Sequence, residues 1–185
     1  MAHPYCEYVK NKGKGTVHEE YHNKEYGFSL KNDDELFGRL LLEINQAGLS
    51  WDTILKKKKN FVRAYDNFNI EKVSQYDDQK RAELLQDSGI IRNRLKINAA
   101  IENAKAIRKL QKEYGTFKNW LDRHHPLTRE ELTKLFKKTF KFTGGEIVNE
   151  FLMSTGYLPG SHSESCPIYK KILTCKPMWA SPVKL

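Results

Sequence analysis

Glu43 is the side chain in this 185-residue sequence whose placement first suggests chemistry. At about 100° per helical residue it falls in line with Leu36, Leu40 and Ala47, on the margin of an apolar stripe rather than on the polar face opposite. A carboxylate there is partly desolvated. Two readings are open: it snorkels outward or pairs with a base, or it stands at the wall of a pocket with Asn45, Gln46 and Trp51, just past the Gly48 turn.

A second group could hold a metal. His162 and Cys166 are separated by three residues in a proline-flanked loop, a spacing at which an imidazole and a thiolate can meet one Zn²⁺. Cys6 and His22 could supply the other half. About 140 residues of chain lie between the two pairs, so spacing alone leaves ordinary thiols and histidines as the alternative. A four-ligand site would be structural, because it leaves no coordination position for water and staples the N-terminal segment to the C-terminal loop. Cys175 has no such pattern around it and reads as a plain thiol.

The stretch from Leu84 to Lys96 could grip a phosphate. A helix ends, a tight turn at Gly89 follows, and a second helix begins with exposed amides among Arg92, Arg94 and Lys96. Free N–H groups at a helix start, the positive end of its dipole and nearby basic side chains are how a helix–hairpin–helix holds DNA backbone. An ordinary helix–helix turn with solvated arginines is the plain alternative. Lys56 to Lys59 reads as a solvated helix face, with phosphate contact as its alternative, and His124-His125-Pro126 as a loop without chemistry.

The elements that must position these residues are helices. From residue 33 to 156 the apolar residues recur at three- and four-residue steps and almost nothing alternates with period two, so the class is all-α. Asp33 or Asp34 opens a segment carrying Leu36, Phe37, Leu40, Leu41 and Ile44, and Gly48 follows where a left-handed cap is wanted. Ser50 caps the next helix, with Ile54, Leu55, Phe61 and Val62 turned inward. Asn69 and Asp78 open two short helices, Leu95 begins a long one to about Glu113, and Thr128 with Glu131 forms a capping box. A last helix spans 145–154 before Gly156. Beyond it Pro159, Gly160, Pro167, Pro177 and Pro182 break up the chain, so the expectation is one helical domain over 1–185 with a loose tail at 171–185.

Lys and Arg number 32 against 23 Asp and Glu, a net charge of +9 that draws polyanions, nucleic acid before acidic membrane surface. No apolar run approaches the roughly 18 residues of a membrane span. The start, Met-Ala-His-Pro-Tyr-Cys, lacks the regions of a signal peptide, so a cytoplasmic protein without membrane association is expected. Three scattered cysteines do not make a disulfide framework.

Several blocks together resemble the bacterial 3-methyladenine DNA glycosylase I family: Tyr21-His22-Asn23-Lys24-Glu25-Tyr26-Gly27, Glu43-Ile44-Asn45-Gln46-Ala47-Gly48-Leu49-Ser50-Trp51 and Ile54-Leu55-Lys56-Lys57. Gly89-Ile90-Ile91-Arg92-Asn93-Arg94, Lys141-Phe142-Thr143-Gly144 and His162-Ser163-Glu164-Ser165-Cys166 continue the match in order, so that it covers roughly residues 4 to 173. The resemblance implies a helix–hairpin–helix glycosylase that hydrolyses the N-glycosidic bond of N3-methylated adenine in double-stranded DNA. It implies Glu43 as the base-recognising carboxylate of the catalytic site and Tyr21 and Trp51 as pocket aromatics. It implies Cys6, His22, His162 and Cys166 as ligands of a structural Zn²⁺. The family lacks the catalytic aspartate of related glycosylases, and none is expected in this chain.

The sequence departs from the family where Tyr8 and Tyr26 stand in place of a familiar tryptophan and His18 near a frequent tyrosine, and where a Lys/Gly-rich insert spans Lys12 to Gly15. Tyr8 and Tyr26 are still expected to face the base. Gly89, Arg92, Arg94 and Lys96 are expected on DNA backbone. With no lysine in the pocket motif, water is the nucleophile and no Schiff-base lyase step follows. The enzyme is expected to act as a monomer. The competing reading is a catalytically idle, zinc-stapled DNA-binding module on the same scaffold, which would have no need of Glu43 beside a tryptophan; a glycosylase of shifted substrate range is the third.

Overall fold

The computed structural model describes residues 4–181; Pro182 of the tail and Met1, Ala2 and His3 of the chain start lie outside the described residues. Among the described residues there are eleven α-helices and no strand. They are α1 (Pro4–Lys12), α2 (Val17–Lys24), α3 (Asp33–Gln46), α4 (Trp51–Ala64), α5 (Ile70–Ser74) and α6 (Asp78–Gln86), followed by α7 (Arg94–Tyr114), α8 (Phe117–Arg123), α9 (Arg129–Thr139), α10 (Gly145–Ser154) and α11 (Pro167–Thr174).

Helix α3 is the axis of the fold. It packs against α4, α5, α7, α8 and α10. Ten consecutive residues, Leu36 to Asn45, are buried, so it has no polar face turned to water and Glu43 lies inside rather than on a margin. Gly38 allows the close approach that this requires, since a Cβ there would strike the Phe68 ring. Leu36, Leu40, Ile54, Phe61, Ile101, Phe117, Phe136 and Phe151 are among the side chains that fill the core around it.

Capping residues fix where the helices begin. Ser50 Oγ accepts from Thr53 N (3.2 Å), Asn69 Oδ1 from Lys72 N (2.9 Å), and Thr128 with Glu131 forms the expected reciprocal box. The start of α3 differs from expectation. Its cap is Asn32, whose Oδ1 accepts from Glu35 N, while Asp33 reaches the Phe117 and Lys118 amides of α8 and Asp34 the Ile70 amide of α5. Each of the two acids thus satisfies orphan amides of a neighbouring helix. Gly48, at φ +78°, adopts the left-handed turn expected of it.

Four helices are absent from the periodicity. The sequences of α1 and α2 each bury few apolar residues, so their form depends on packing with each other and with α4. Helix α8 is a short turn-rich piece held by Asp33. Pro167 opens α11 rather than breaking the chain, because the first helical position needs no N–H and suits proline's fixed φ. Beyond α11, Trp179 N donates to Gly156 O (3.3 Å).

Candidate active site and metal cluster

A cavity of about 300 Å³ opens where α1, α2, α3, α4 and α10 meet. Tyr21 of α2, Tyr26 in the turn after it and Trp51 at the first position of α4 stand in its wall with Tyr5 of α1. The rings pack on one another: Tyr21 lies 5.2 Å from Trp51 and 5.6 Å from Tyr26, centroid to centroid, and Tyr5 lies 5.3 Å from Tyr26. Glu43, Gln46 and Glu150 supply the polar part of the lining, and among the described residues no lysine lines the cavity.

Glu43 is 4% exposed. Burial pushes its carboxyl up to about 8, Glu150 adds to that by repulsion, and the Arg39 guanidinium with a Ser154 hydrogen bond pulls the other way. Arg39 does not cancel the burial, because it is committed elsewhere. It donates to Glu25 Oε2 (3.2 Å), to the Tyr21 hydroxyl (3.1 Å) and to Ser154 O (3.3 Å), and its guanidinium lies 4.9 Å from the Tyr21 ring centre. Glu150, also raised by burial, accepts from the Tyr26 hydroxyl at 3.4 Å. Two carboxyls in one partly dry cavity lined by electron-rich rings make a place where a flat cation gains and an anion loses.

A stability prediction follows from Glu43. Its folded value near 8 stands above the ordinary 4.5, so between those values the folded chain holds a proton that the unfolded chain has released, and stability falls as pH rises through that window. Glu43→Gln removes this slope. The variant is expected to gain on wild type by a few kcal/mol on going from pH 4.5 to above 8, read as the midpoint of urea unfolding at each pH. Parallel pH profiles for the two proteins would contradict it.

Not all expected residues reach the cavity. Tyr8 does not line it: its side chain is largely at the surface, stacked on Tyr5 at 6.1 Å and set against His18 at 5.0 Å. The register of α1 turns Tyr5, three residues back, inward instead. Asn45 lies beneath the cavity and donates to Leu41 O. Tyr5, Arg39 and Glu150 were not singled out from the sequence. Arg39, four residues before Glu43 and in line with it, carried a legible signal; Tyr5 and Glu150 became neighbours only through tertiary packing.

Cys6, His22, His162 and Cys166 come together, with their four ligand atoms within 4.8 Å of one another. Cys166 Sγ lies 3.4 Å from His162 Nδ1 and 3.7 Å from His22 Nε2, and Cys6 Sγ lies 3.6 Å from His162 Nδ1. Ligand bonds of about 2.0–2.3 Å in a tetrahedron give edges of about 3.5 Å, so the donor set fits a metal of that coordination. The remaining ring nitrogens are held from outside, His22 Nδ1 by Asn23 Oδ1 (2.7 Å) and His162 Nε2 by Tyr26 O (2.9 Å), which turns His22 Nε2 and His162 Nδ1 towards the thiols. A wider cleft of about 590 Å³ adjoins the cluster, but no Phe, Tyr or Trp lines it.

The hairpin between α6 and α7 departs from expectation in two ways. Asn93 caps α7, its Oδ1 accepting from Leu95 N and Lys96 N, and Gly89 N donates to Asp87 Oδ1, so these amides are already satisfied. Lys96 is turned inward, donating to Asn45 O (2.8 Å) and Ala47 O (2.7 Å), where its charge meets the carbonyl end of α3. That corrects its assignment to DNA backbone. Arg92 and Arg94 are exposed. Of the lysine run, Lys56 pairs with Asp52, Lys57 donates to Ser88 O and Lys58 to Glu25, so most of it is used within the fold.

An all-α fold that closes an aromatic cavity over a buried carboxylate, with a Cys₂His₂ cluster adjoining it, defines a helical protein shaped to take a flat, electron-poor ring. Residues 12–132 match the methyladenine glycosylase family, and the chain belongs to it. It is 30% identical to the DNA-3-methyladenine glycosylase of Haemophilus influenzae over 174 residues, covering 84% of this chain and 94% of that one. To DNA-3-methyladenine glycosylase 1 of Escherichia coli it is 32% identical over 168 residues, 80% and 89% of the two chains. The 3-methyladenine DNA glycosylase I of Staphylococcus aureus superposes with a TM-score of 0.77 at 31% identity, covering 84% of this chain and 93% of that one. A single-residue variant of a 3-methyladenine DNA glycosylase I, crystallised with 3-methyladenine, gives 0.79 at 30% identity over 85% and 95%. No described helix is long and apolar enough to cross a membrane.

Proposed function

We infer that this protein is a monofunctional DNA repair glycosylase that hydrolyses the N-glycosidic bond of 3-methyladenine in alkylated DNA. The observation that carries this reading is Glu43, buried behind Tyr21, Tyr26 and Trp51 in a cavity of its own. A base inside a duplex cannot be reached, so it is flipped out, at a cost of a few kcal/mol that stacking and backbone contacts offset. N3 methylation makes the adenine cationic and weakens its bond to the sugar. The rings stack on that cation, and Glu43 offers an acceptor for its edge. When the C1′–N9 bond breaks, its electrons go to the base, which leaves neutral, and water adds to C1′ and gives up a proton. Among the described residues no lysine lines the cavity, in keeping with hydrolysis without a lyase step.

The test is incubation of the protein with methylated DNA and identification of the free base. Release of 3-methyladenine is expected; duplex binding with no base released would favour the idle DNA-binding module.

The α6–α7 hairpin is read as the helix–hairpin–helix element, with Gly89 in its turn and Arg92 and Arg94 reaching duplex phosphates; the exposure of both arginines and the +9 charge support it. Arg92→Ala with Arg94→Ala is expected to weaken binding about equally for damaged and undamaged duplex, and to lower the slope of log affinity against log salt by about 1 for each phosphate that is no longer neutralised. A loss confined to damaged DNA would contradict that role. The Cys6, His22, His162 and Cys166 cluster is read as a structural Zn²⁺ site, and the enzyme as a monomer.

A further inference from the structure

In the cavity wall, Tyr5 is held by a chain of partners that runs to the protein surface. Tyr5 lines the cavity, and its hydroxyl lies 3.0 Å from Nδ1 of His18. His18 is 3% exposed, and its Nε2 lies 3.1 Å from Asp52 Oδ1; Asp52 is in turn paired with Lys56 at 2.6 Å. Lys56 holds the Asp52 carboxyl below the usual range, so Asp52 is an anion that only accepts. It therefore takes the Nε2 proton of His18. With the proton on Nε2, Nδ1 is the acceptor and the Tyr5 O–H the donor.

We propose that Tyr5 is a base-contacting wall of the cavity and that His18 and Asp52 are its positioning residues. This rests on the glycosylase reading. The geometry is specific: Tyr5 closes edge-on over Tyr26 and Tyr21, at 79° and 65°, so its ring adds a further side to the wall those two form. Tyr8, expected in the wall, stacks on the outer side of this arrangement with His18. An imidazole buried at position 18 thus serves the cavity through Tyr5 rather than by touching the base. Without its anchor the ring is free to leave a wall that stacking requires to be in place before the base arrives.

The test is a double-mutant cycle read by affinity for free 3-methyladenine, followed through the change in intrinsic tryptophan fluorescence, and by single-turnover base release from methylated duplex. Affinity for undamaged duplex, thermal midpoint and metal content are the controls, because Tyr5 adjoins Cys6. Tyr5→Phe keeps the ring and removes the anchor; His18→Ala removes its partner. Each is expected to weaken base affinity roughly 3- to 10-fold, with the double variant no worse than either single one. Tyr5→Ala is expected to lose more, and Asp52→Ala, at the accessible end of the chain, to lose about 2-fold. Additive losses, or a Tyr5→Ala variant with wild-type base affinity, would overturn the proposal. Should His18→Ala misfold, Asp52→Ala against Tyr5→Phe gives the same cycle. Wild-type protein that captures and releases no 3-methyladenine overturns the glycosylase reading itself, whereas an active wild type with an indifferent Tyr5 overturns only this one.

Discussion

Glu43→Gln is expected to cut capture of 3-methyladenine by roughly 10- to 100-fold while leaving affinity for undamaged duplex within about 2-fold. The substitution keeps the size of the side chain and one accepting oxygen. It removes the negative charge, and charge is what a cationic base meets in a site where Arg39 is already committed to Glu25 and Tyr21. In the free protein the carboxyl, pushed up to about 8, is largely protonated at neutral pH. A cation entering the cavity favours the ionised form, so binding a cationic base releases a proton below that pH and strengthens as pH rises towards it. The variant should lose that pH dependence. Trp51→Ala is expected to give a related loss of about 1–3 kcal/mol through the missing stacking face, without the change in pH response. The measurements are affinity for methylated duplex, in which the base is still cationic, and single-turnover release at pH 6, 7 and 8, with binding to undamaged duplex as the control. Wild-type values for Glu43→Gln in both would leave the carboxylate a structural residue of α3 and the recognition mechanism wrong, even in an active enzyme.

What the sequence made legible and what it hid divide along a physical line. Helices that bury a regular stripe announce themselves: α4, α7, α9 and α10 begin close to where capping residues and periodicity put them, and α7 and α10 also end there. Helix α3 was legible as a helix, but its depth was not, because its ten consecutive buried residues include Arg39, Glu43 and Asn45, and periodicity carries Glu43 no deeper than the margin of the stripe. Burial of those three is decided by what surrounds them. For the same reason α1 and α2 were missed: they bury too little to be periodic, yet they carry Tyr5, Cys6, Tyr21 and His22. Lys96 shows the opposite failure. Basic residues near a hairpin read alike, but only Arg92 and Arg94 stay exposed, whereas Lys96 is drawn in by unsatisfied carbonyls of α3 that lie about 50 residues earlier in the chain.

On the zinc reading of the Cys/His cluster, removing the metal is expected to be the most damaging change to the fold, and it should reach the cavity as well. The ligands sit on elements that are weak alone: Cys6 on the nine-residue α1, His22 on the eight-residue α2, and Cys166 at the cap of the eight-residue α11. A closed tetrahedral site contributes folding free energy directly, so protein purified without added zinc should carry about one Zn²⁺ per chain, and chelation or Cys166→Ser should lower the thermal midpoint by roughly 10 °C or more. The cavity should feel the loss through covalent and hydrogen-bonded neighbours. Tyr5 precedes Cys6, Tyr21 precedes His22, and Tyr26 lends its carbonyl to His162. Tyr5, Tyr21 and Tyr26 in the cavity wall are therefore tethered to the Cys/His cluster, while Glu43 on α3 and Trp51 on α4 are not. The metal-depleted protein should consequently lose base affinity and keep an intact core, with Arg92 and Arg94 still binding duplex. An equally stable protein with no bound metal would refute the site, and a depleted protein that unfolds as a whole would refute the division between tethered walls and core.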